Sequence, residues 1–202
     1  PELRRKFITF GTLNNPYKIT RSVIKRWSSV LQSIPSSQFL FVRREFKSHI
    51  LRNNILAEFK ASGIDQSRIH FFDNRAAKRH YLDCYNEIDI SLDTFPVTGG
   101  TTTIDALWMG VPVVAMEGPN IHQRVCSAIL KHAGYADWVA KSDSQFLQIA
   151  LNLAQNQNQR VLLRQNLRNQ LLESPLCDGR RFASDFGQCI QQVMNELSQS
   201  NL

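Results

Sequence analysis

IDISLDTFPVTGGTTTIDALWMGVPVV, residues 88–114, is the stretch on which the reading of the whole chain turns. Its first residues, Ile88 to Leu92, form an apolar and β-branched run of the length of one buried strand. A loop carrying Pro96, Gly99 and Gly100 follows. Thr101, Thr102 and Thr103 then lead into Ile104, Ala106, Leu107 and Met109, spaced as the apolar side of a short helix. Gly110 stops that helix, and Val111 to Val114 reads as the next strand. Strand, glycine turn, helix and strand make a βαβ unit with an anion socket at its joint. Glycines let a backbone approach a ligand closely, and the first turn of a helix has N–H groups that a phosphate can satisfy. Threonine hydroxyls add donors there, and Asp105, one helical turn beyond Thr101, can accept from the sugar hydroxyls of a nucleotide. The same residues also fit a plainer reading, with Thr101 as an N-cap and Gly99-Gly100 as a tight turn. The loop alone leaves both standing.

Working outward, strand and helix patterns alternate. Phe7 to Leu13 reads as a strand that ends in the loop signal Asn14-Asn15-Pro16. Thr20 caps a helix with Val23, Ile24, Trp27, Val30, Leu31 and Ile34 at helical period, closed by Pro35. Gln38 to Val42 is a second strand; Phe46, Ile50, Leu51, Ile55 and Phe59 mark a second helix ended by Gly63; Ile69 to Phe72 is a third strand. Asp73 to Ala77 reads as a loop and Lys78 to about Glu87 as a helix. On the far side, Val125, Ala128, Ile129 and Leu130 mark a helix ended by Gly134, and Trp138 to Ala140 a short sixth strand. From Ser142 the chain is helical, with Phe146, Ile149, Ala150 and Leu153 on one helix and Val161, Leu162, Leu167 and Leu171 on another, broken at Ser174-Pro175. The last helix, about Phe182 to Leu197, carries Phe182, Phe186, Ile190, Val193 and Leu197 on one face, a stripe expected to pack on the core.

This alternation predicts an α/β fold, a Rossmann-like doubly wound parallel sheet with C-terminal helices over about 142–202. Ligands of such sheets bind beyond the carboxyl ends of the strands, where strand order reverses. Four loops meet that description: Asn14 to Lys18, Asp73 to Lys78, Phe95 to Thr103 and Glu117 to Arg124. Lys18, just after the first strand, can neutralise a diphosphate, and Lys78, at the start of its helix, opposes the helix dipole and so points to a ligand.

Composition narrows the classes. The 202 residues, 43% hydrophobic, can bury a sizeable core as one domain spanning 1–202, and no apolar run reaches the length of a membrane span. Pro1 in place of a methionine predicts a piece cut from a longer chain. Four cysteines without paired spacing argue against a zinc site or a disulfide scaffold and for a reducing, cytoplasmic setting. The net charge of +7 is spread along the chain, unlike a nucleic-acid-binding element, so most basic residues are expected in a solvated surface.

FGTLNNPYKIT (residues 10–20), the stretch 88–114, Gln123-Arg124-Val125 and SPLCD (residues 174–178) resemble, in order and spacing, the C-terminal catalytic half of the O-GlcNAc transferase and SPINDLY family, its bacterial members most. The resemblance runs over essentially the whole chain. It implies a GT-B glycosyltransferase in which this half binds the nucleotide sugar and the enzyme transfers the sugar to serine or threonine of an acceptor protein, with inversion and without a metal. Asp89 and Asp93 stand four apart and make no Asp-x-Asp clamp, in keeping with metal independence.

Residue by residue, the resemblance places Lys18 at the family's essential donor-phosphate lysine and Asn15 at a phosphate-contacting amide. It sets Thr101 and Thr102 at the diphosphate and Asp105 at the ribose hydroxyls. Lys78 falls near the nucleoside, Ala76 where the backbone reads the base, and Arg124 in a structural or donor-loop position. Gly100 stands where vertebrate members have a histidine. Tyr81 takes the place of a base-flanking histidine, with His80 one position early, and Cys84 replaces an arginine found in some relatives. UDP-N-acetylglucosamine is the first choice of donor, and GDP-fucose, used by SPINDLY-type members, stays open. The family's candidate general base and tetratricopeptide repeats lie N-terminal to this region, so these residues alone are expected to bind nucleotide and not to transfer sugar. A non-catalytic nucleotide-binding module and, far behind, a basic nucleic-acid-binding protein are the readings from other classes.

Overall fold

The computed structural model describes residues 1–73 and 75–200, with nothing described of the Ser200 side chain. In chain order the elements are α1 (Glu2–Arg5), β1 (Thr9–Thr12), α2 (Arg21–Ser33), β2 (Gln38–Val42), α3 (His49–Ala61), β3 (Ile69–Phe72) and β4 (Ile90–Leu92). Then come α4 (Thr101–Trp108), β5 (Val113–Met116), α5 (Val125–His132), β6 (Val139–Ala140), α6 (Asp143–Gln155), α7 (Gln157–Glu173) and α8 (Gly179–Ser200). Every strand pairing is parallel and the order across the six-stranded sheet is β3-β2-β1-β4-β5-β6. Strand order reverses between β1 and β4, so the loops that follow these two strands open onto one crevice.

Residues of β1 and β5 are buried throughout, the continuous pattern of strands covered on both faces. On one side α2 seats Trp27 against Phe39 of β2, ring centroids 4.8 Å apart, and Phe41 continues the aromatic layer to Phe71 and Phe59. Thr20 caps α2 by accepting from the Val23 amide. Among the described residues no helix is long and apolar enough to cross a membrane.

Four elements differ from the sequence reading. The helix expected from Phe46 is a 3₁₀ turn, Arg44–Lys47, followed by α3, which starts only at Ser48, its side-chain cap; this phase turns Ile50 outward, 76% exposed. Between β3 and β4 no α-helix starts at Lys78 among the described residues. Asp73 accepts from the amides of Arg75 and Ala76, a side-chain turn that competes with helix formation. Lys78 takes a left-handed φ of 49°, and only Leu82–Glu87 coils, as a 3₁₀ helix.

In α7 the buried face is Arg160, Leu163, Leu167 and Leu171, so Leu162 faces solvent. The stripe of α8 is not core: Phe182, Phe186, Ile190, Val193 and Leu197 are all exposed, because the helix leaves the fold after the turn Pro175–Cys177.

Candidate functional site

Asp93, at the end of β4, is buried to 3% exposure. Its carboxylate accepts from the Asn14 side-chain Nδ2 at 2.8 Å and from the Gly99 amide through both oxygens, at 2.8 and 3.1 Å. Burial pushes its pKa up, against the pull of Cys126, Asn14 and the Gly99 and Thr94 backbone. Asn14 in turn accepts the Thr102 hydroxyl on its Oδ1 at 2.8 Å. The loop after β1 and the N-terminus of α4 are thus joined by a relay of side chains.

Lys18 completes the joint. Asn15 accepts from the Tyr17 amide and caps the 3₁₀ turn Pro16–Lys18, which carries the lysine back over the crevice. Its Nζ donates to the Thr98 carbonyl at 2.8 Å, and no carboxylate lies within 4.0 Å of it among the described residues. Thr98 is held from behind: its amide and hydroxyl donate to the His122 carbonyl, and its hydroxyl accepts from the Cys126 amide.

At the start of α4 the amides of Thr101 and Thr102 have no acceptor among the described residues. Of the three threonine hydroxyls, that of Thr102 is spent on Asn14 and that of Thr103 on Cys126 Sγ, which leaves Thr101 alone facing solvent. A Cβ on Gly99 would lie 2.7 Å from Thr103 Oγ1 and 2.9 Å from Asp93 Oδ1, so only glycine fits there. At Gly100 the nearest atom to such a carbon is Val125 Cγ1 at 3.6 Å, ordinary contact distance. The arrangement sets a cation on the loop that leads directly into the free amides of α4, a combination suited to an anion of two or more charges.

Beside it lies a second cluster. Tyr85 donates to the Thr102 carbonyl at 2.9 Å and meets the Tyr81 ring edge-on, centroids 6.1 Å apart. Burial pushes both phenols up, and each also feels the charge of Asp105. Asp105 itself is half-buried, its carboxylate makes no hydrogen bond among the described residues, and its pKa is raised by that burial. Arg43, Arg44, Glu45, Arg75 and Tyr81 line a cavity of about 400 Å³.

The structure therefore ties Lys18 to Thr98, in the loop that runs through Gly100 into Thr101 and Thr102, with Tyr81 and Asp105 near the same helix start through Tyr85. Asn15 serves as a local cap. The Ala76 amide is committed to Asp73, and Lys78 stands exposed on the same turn with no ion pair among the described residues. Arg124 precedes α5, its carbonyl taken by the Ser127 hydroxyl. Sequence reasoning missed Asn14 and Arg43. Arg43 ties the Leu13 carbonyl to β2 through its Nη1, and its position immediately after a predicted strand was the available signal.

A parallel sheet in this order, with ligand-facing loops at its reversal point, defines a Rossmann-like nucleotide-binding fold. The model of glycosyl transferase family 41 matches residues 2–186, and the chain belongs to that family. It is 35% identical over 182 residues to a tomato (Solanum lycopersicum) protein named a probable UDP-N-acetylglucosamine–peptide N-acetylglucosaminyltransferase SPINDLY, covering 90% of this chain and 20% of that protein. The UDP-N-acetylglucosamine–peptide N-acetylglucosaminyltransferase of Caenorhabditis elegans is 28% identical over 186 residues, 92% of this chain and 16% of the relative. Among solved structures, a mutant O-GlcNAc transferase of Thermobaculum terrenum superposes with a TM-score of 0.86 at 26% identity, over 97% of this chain and 38% of that one. The glycosyltransferase WaaG shares the fold alone, with a TM-score of 0.61 at 14% identity over 92% of this chain and 49% of that one. The chain thus spans a fifth or less of the length of these two relatives, 20% and 16%.

Proposed function

We propose that this chain is the donor-binding half of an inverting, metal-independent protein O-glycosyltransferase that moves N-acetylglucosamine from UDP-N-acetylglucosamine to serine or threonine. The observation that carries this reading is Lys18 Nζ held 2.8 Å from the Thr98 carbonyl beside the free amides of Thr101 and Thr102. When an acceptor hydroxyl displaces UDP from the anomeric carbon, negative charge grows on the leaving diphosphate. Preorganised donors aimed at that charge supply the largest share of stabilisation in such steps. Lys18 and the first amides of α4 are such donors. Asp105 accepts from the ribose hydroxyls, Tyr81 stacks on the base, and the turn holding Ala76 and Lys78 flanks the nucleoside. Two further points support metal independence: Asp93 is committed to Asn14 and Gly99, and Asp89 accepts from the Thr9 and Glu2 amides.

The general base and the acceptor platform belong to parts of the enzyme N-terminal to this region, so this chain alone does not transfer sugar. A cytoplasmic setting and a protein acceptor belong to the same proposal. The names of both relatives favour UDP over GDP. Calorimetric titration with UDP and GDP, on the native sequence and on Lys18→Ala, tests the reading. UDP binding that the variant weakens about tenfold or more, with the melting temperature kept, supports it. Preference for GDP moves the sugar to fucose, and binding unaffected by the variant sinks the role of Lys18.

A further inference from the structure

We propose that Asp93 is the positioning residue of the diphosphate socket, fixing through Gly99 and Asn14 which atoms of the loop and of α4 face the ligand. The inference rests on the donor-site reading above and adds to it a residue that never touches the donor.

A carboxylate can only accept hydrogen bonds, whereas an amide side chain offers a donor on one side and an acceptor on the other. Because Asn14 must present its NH₂ to Asp93, its Oδ1 is turned to Thr102, and the Thr102 hydroxyl must donate inward. The Thr102 side chain is thereby pinned below the opening while its amide stays free above. On the other arm both carboxylate oxygens converge on the Gly99 amide, at 2.8 and 3.1 Å. Gly99 follows Thr98, whose carbonyl takes the Lys18 ammonium. One buried carboxylate therefore sets both halves of the socket, the lysine side and the helix side. The loop is drawn down as far as a backbone can go, since even a methyl group on Gly99 would lie 2.9 Å from Asp93 Oδ1.

No neutral side chain can replace this group. In Asp93→Asn, either orientation of the amide sets an NH₂ against the Gly99 N–H, because both oxygen positions lie within 3.1 Å of that nitrogen. The isosteric change keeps volume and packing and removes the charge and the bidentate acceptor, which Cys126 and the Thr94 backbone also use. The carboxylate is also costly to keep here, since burial pushes its pKa up and no cation is paired with it among the described residues. A residue kept only for packing would not need the charge.

The test uses the full-length protein carrying this chain, with two readouts for each variant: the backbone amide resonances and hydrogen exchange of Gly99, Thr101 and Thr102, and the dissociation constant for UDP. In Asp93→Asn the Gly99 amide loses protection, the Thr101 and Thr102 resonances shift, and UDP affinity falls about tenfold, the scale of one hydrogen bond to a charged group. Asn14→Ala cuts only the arm to Thr102; Gly99 stays protected and UDP affinity still falls. This second variant decides the matter should the first fail to fold. A folded Asp93→Asn with native Gly99 exchange and native UDP affinity overturns the proposal, as does an Asn14→Ala protein that binds UDP like the native one. If the native protein binds no nucleotide, the donor-site reading fails by itself. The amide readout then judges Asp93 alone: moved resonances keep its positioning role and unmoved ones end it.

Discussion

At the scale of single residues, the two adjacent glycines have different jobs. Gly99 is crowded by Thr103 and Asp93, whereas a methyl group on Gly100 meets only Val125 at 3.6 Å. Gly99→Ala is therefore expected to lower the melting temperature by several degrees, the result of a strained, overpacked loop, and to abolish UDP binding. Gly100→Ala keeps both, and thermal melts with calorimetry of the pair separate them. The resemblance already marked position 100 as one that holds a histidine in other members, and the open space agrees. Asp105 gives a pH prediction. Its folded carboxyl pKa is raised by burial, so ionising it costs stability: the contribution is fullest below the ordinary carboxyl value and fades as pH rises through the elevated one. Ribose binding runs the other way, because only the carboxylate accepts from two hydroxyls. UDP affinity should fall as pH drops through that raised pKa, and Asp105→Asn should flatten the profile measured by calorimetry between pH 4 and 7, roughly the window above the ordinary Asp value.

At the scale of elements, what was legible in the sequence was whatever apolar periodicity reports. The six strands, α2 and the joint between β4 and α4 follow from short apolar runs, glycines and caps. Asn14, Asp93 and Arg164 were not legible as structural groups, because their work is to satisfy partners distant in sequence, which no local pattern shows. Arg160, Arg164 and Arg168 stand at helical spacing on α7, and a reading by charge set such residues in solvent. Arg160 instead donates to the Leu153 and Ala154 carbonyls, and Arg164 to those of Tyr85, Ile88 and Met109. Arg168 donates to the Trp108 carbonyl with its guanidinium 4.8 Å from that indole. Burial lowers the Arg164 pKa and the charge of Asp89 opposes the shift. Arg164 thus joins α7 to both ends of the β4–α4 unit, and the close pass of Gly110, at φ 72°, against the Arg164 backbone seals that contact. Arg164→Ala removes three hydrogen bonds to carbonyls, of which that of Tyr85 keeps the Ile88 amide as donor, and should cost about 3 kcal/mol, a fall of about 6–12 °C in melting temperature. Arg164→Lys should recover little of it, since an ammonium cannot fork to separated carbonyls.

At the scale of the whole molecule, the strand order is what turns two unrelated loops into one site. Sequence patterns predict parallel strands, but only the reversal between β1 and β4 places Lys18 over Thr98, 80 positions away. The same scale explains the misreading of α8. An amphipathic stripe shows that a helix has an apolar face, not that the chain at hand covers it. Phe182 and Phe186, their rings stacked 5.9 Å apart, line a groove with Ala128, Ile129 and His132 but stay 68% and 58% exposed, so they do not close it. From Ile190 onward the described apolar side chains are also about half exposed, so neither half of the stripe buries much area against the rest. Hydrophobic stabilisation scales with the apolar surface removed from water, so that part of the helix adds little to the stability of the sheet. Ending the chain after Gln188 should leave the melting temperature within about 2 °C of the native value, because few contacts are removed. Ending it after Cys177 also removes Phe182 and Phe186, both more than half exposed, and should lower the melting temperature only slightly further. Differential scanning calorimetry of the two truncations checks this, and an equal, large loss in both would mean that the outer half of α8 is packed in solution.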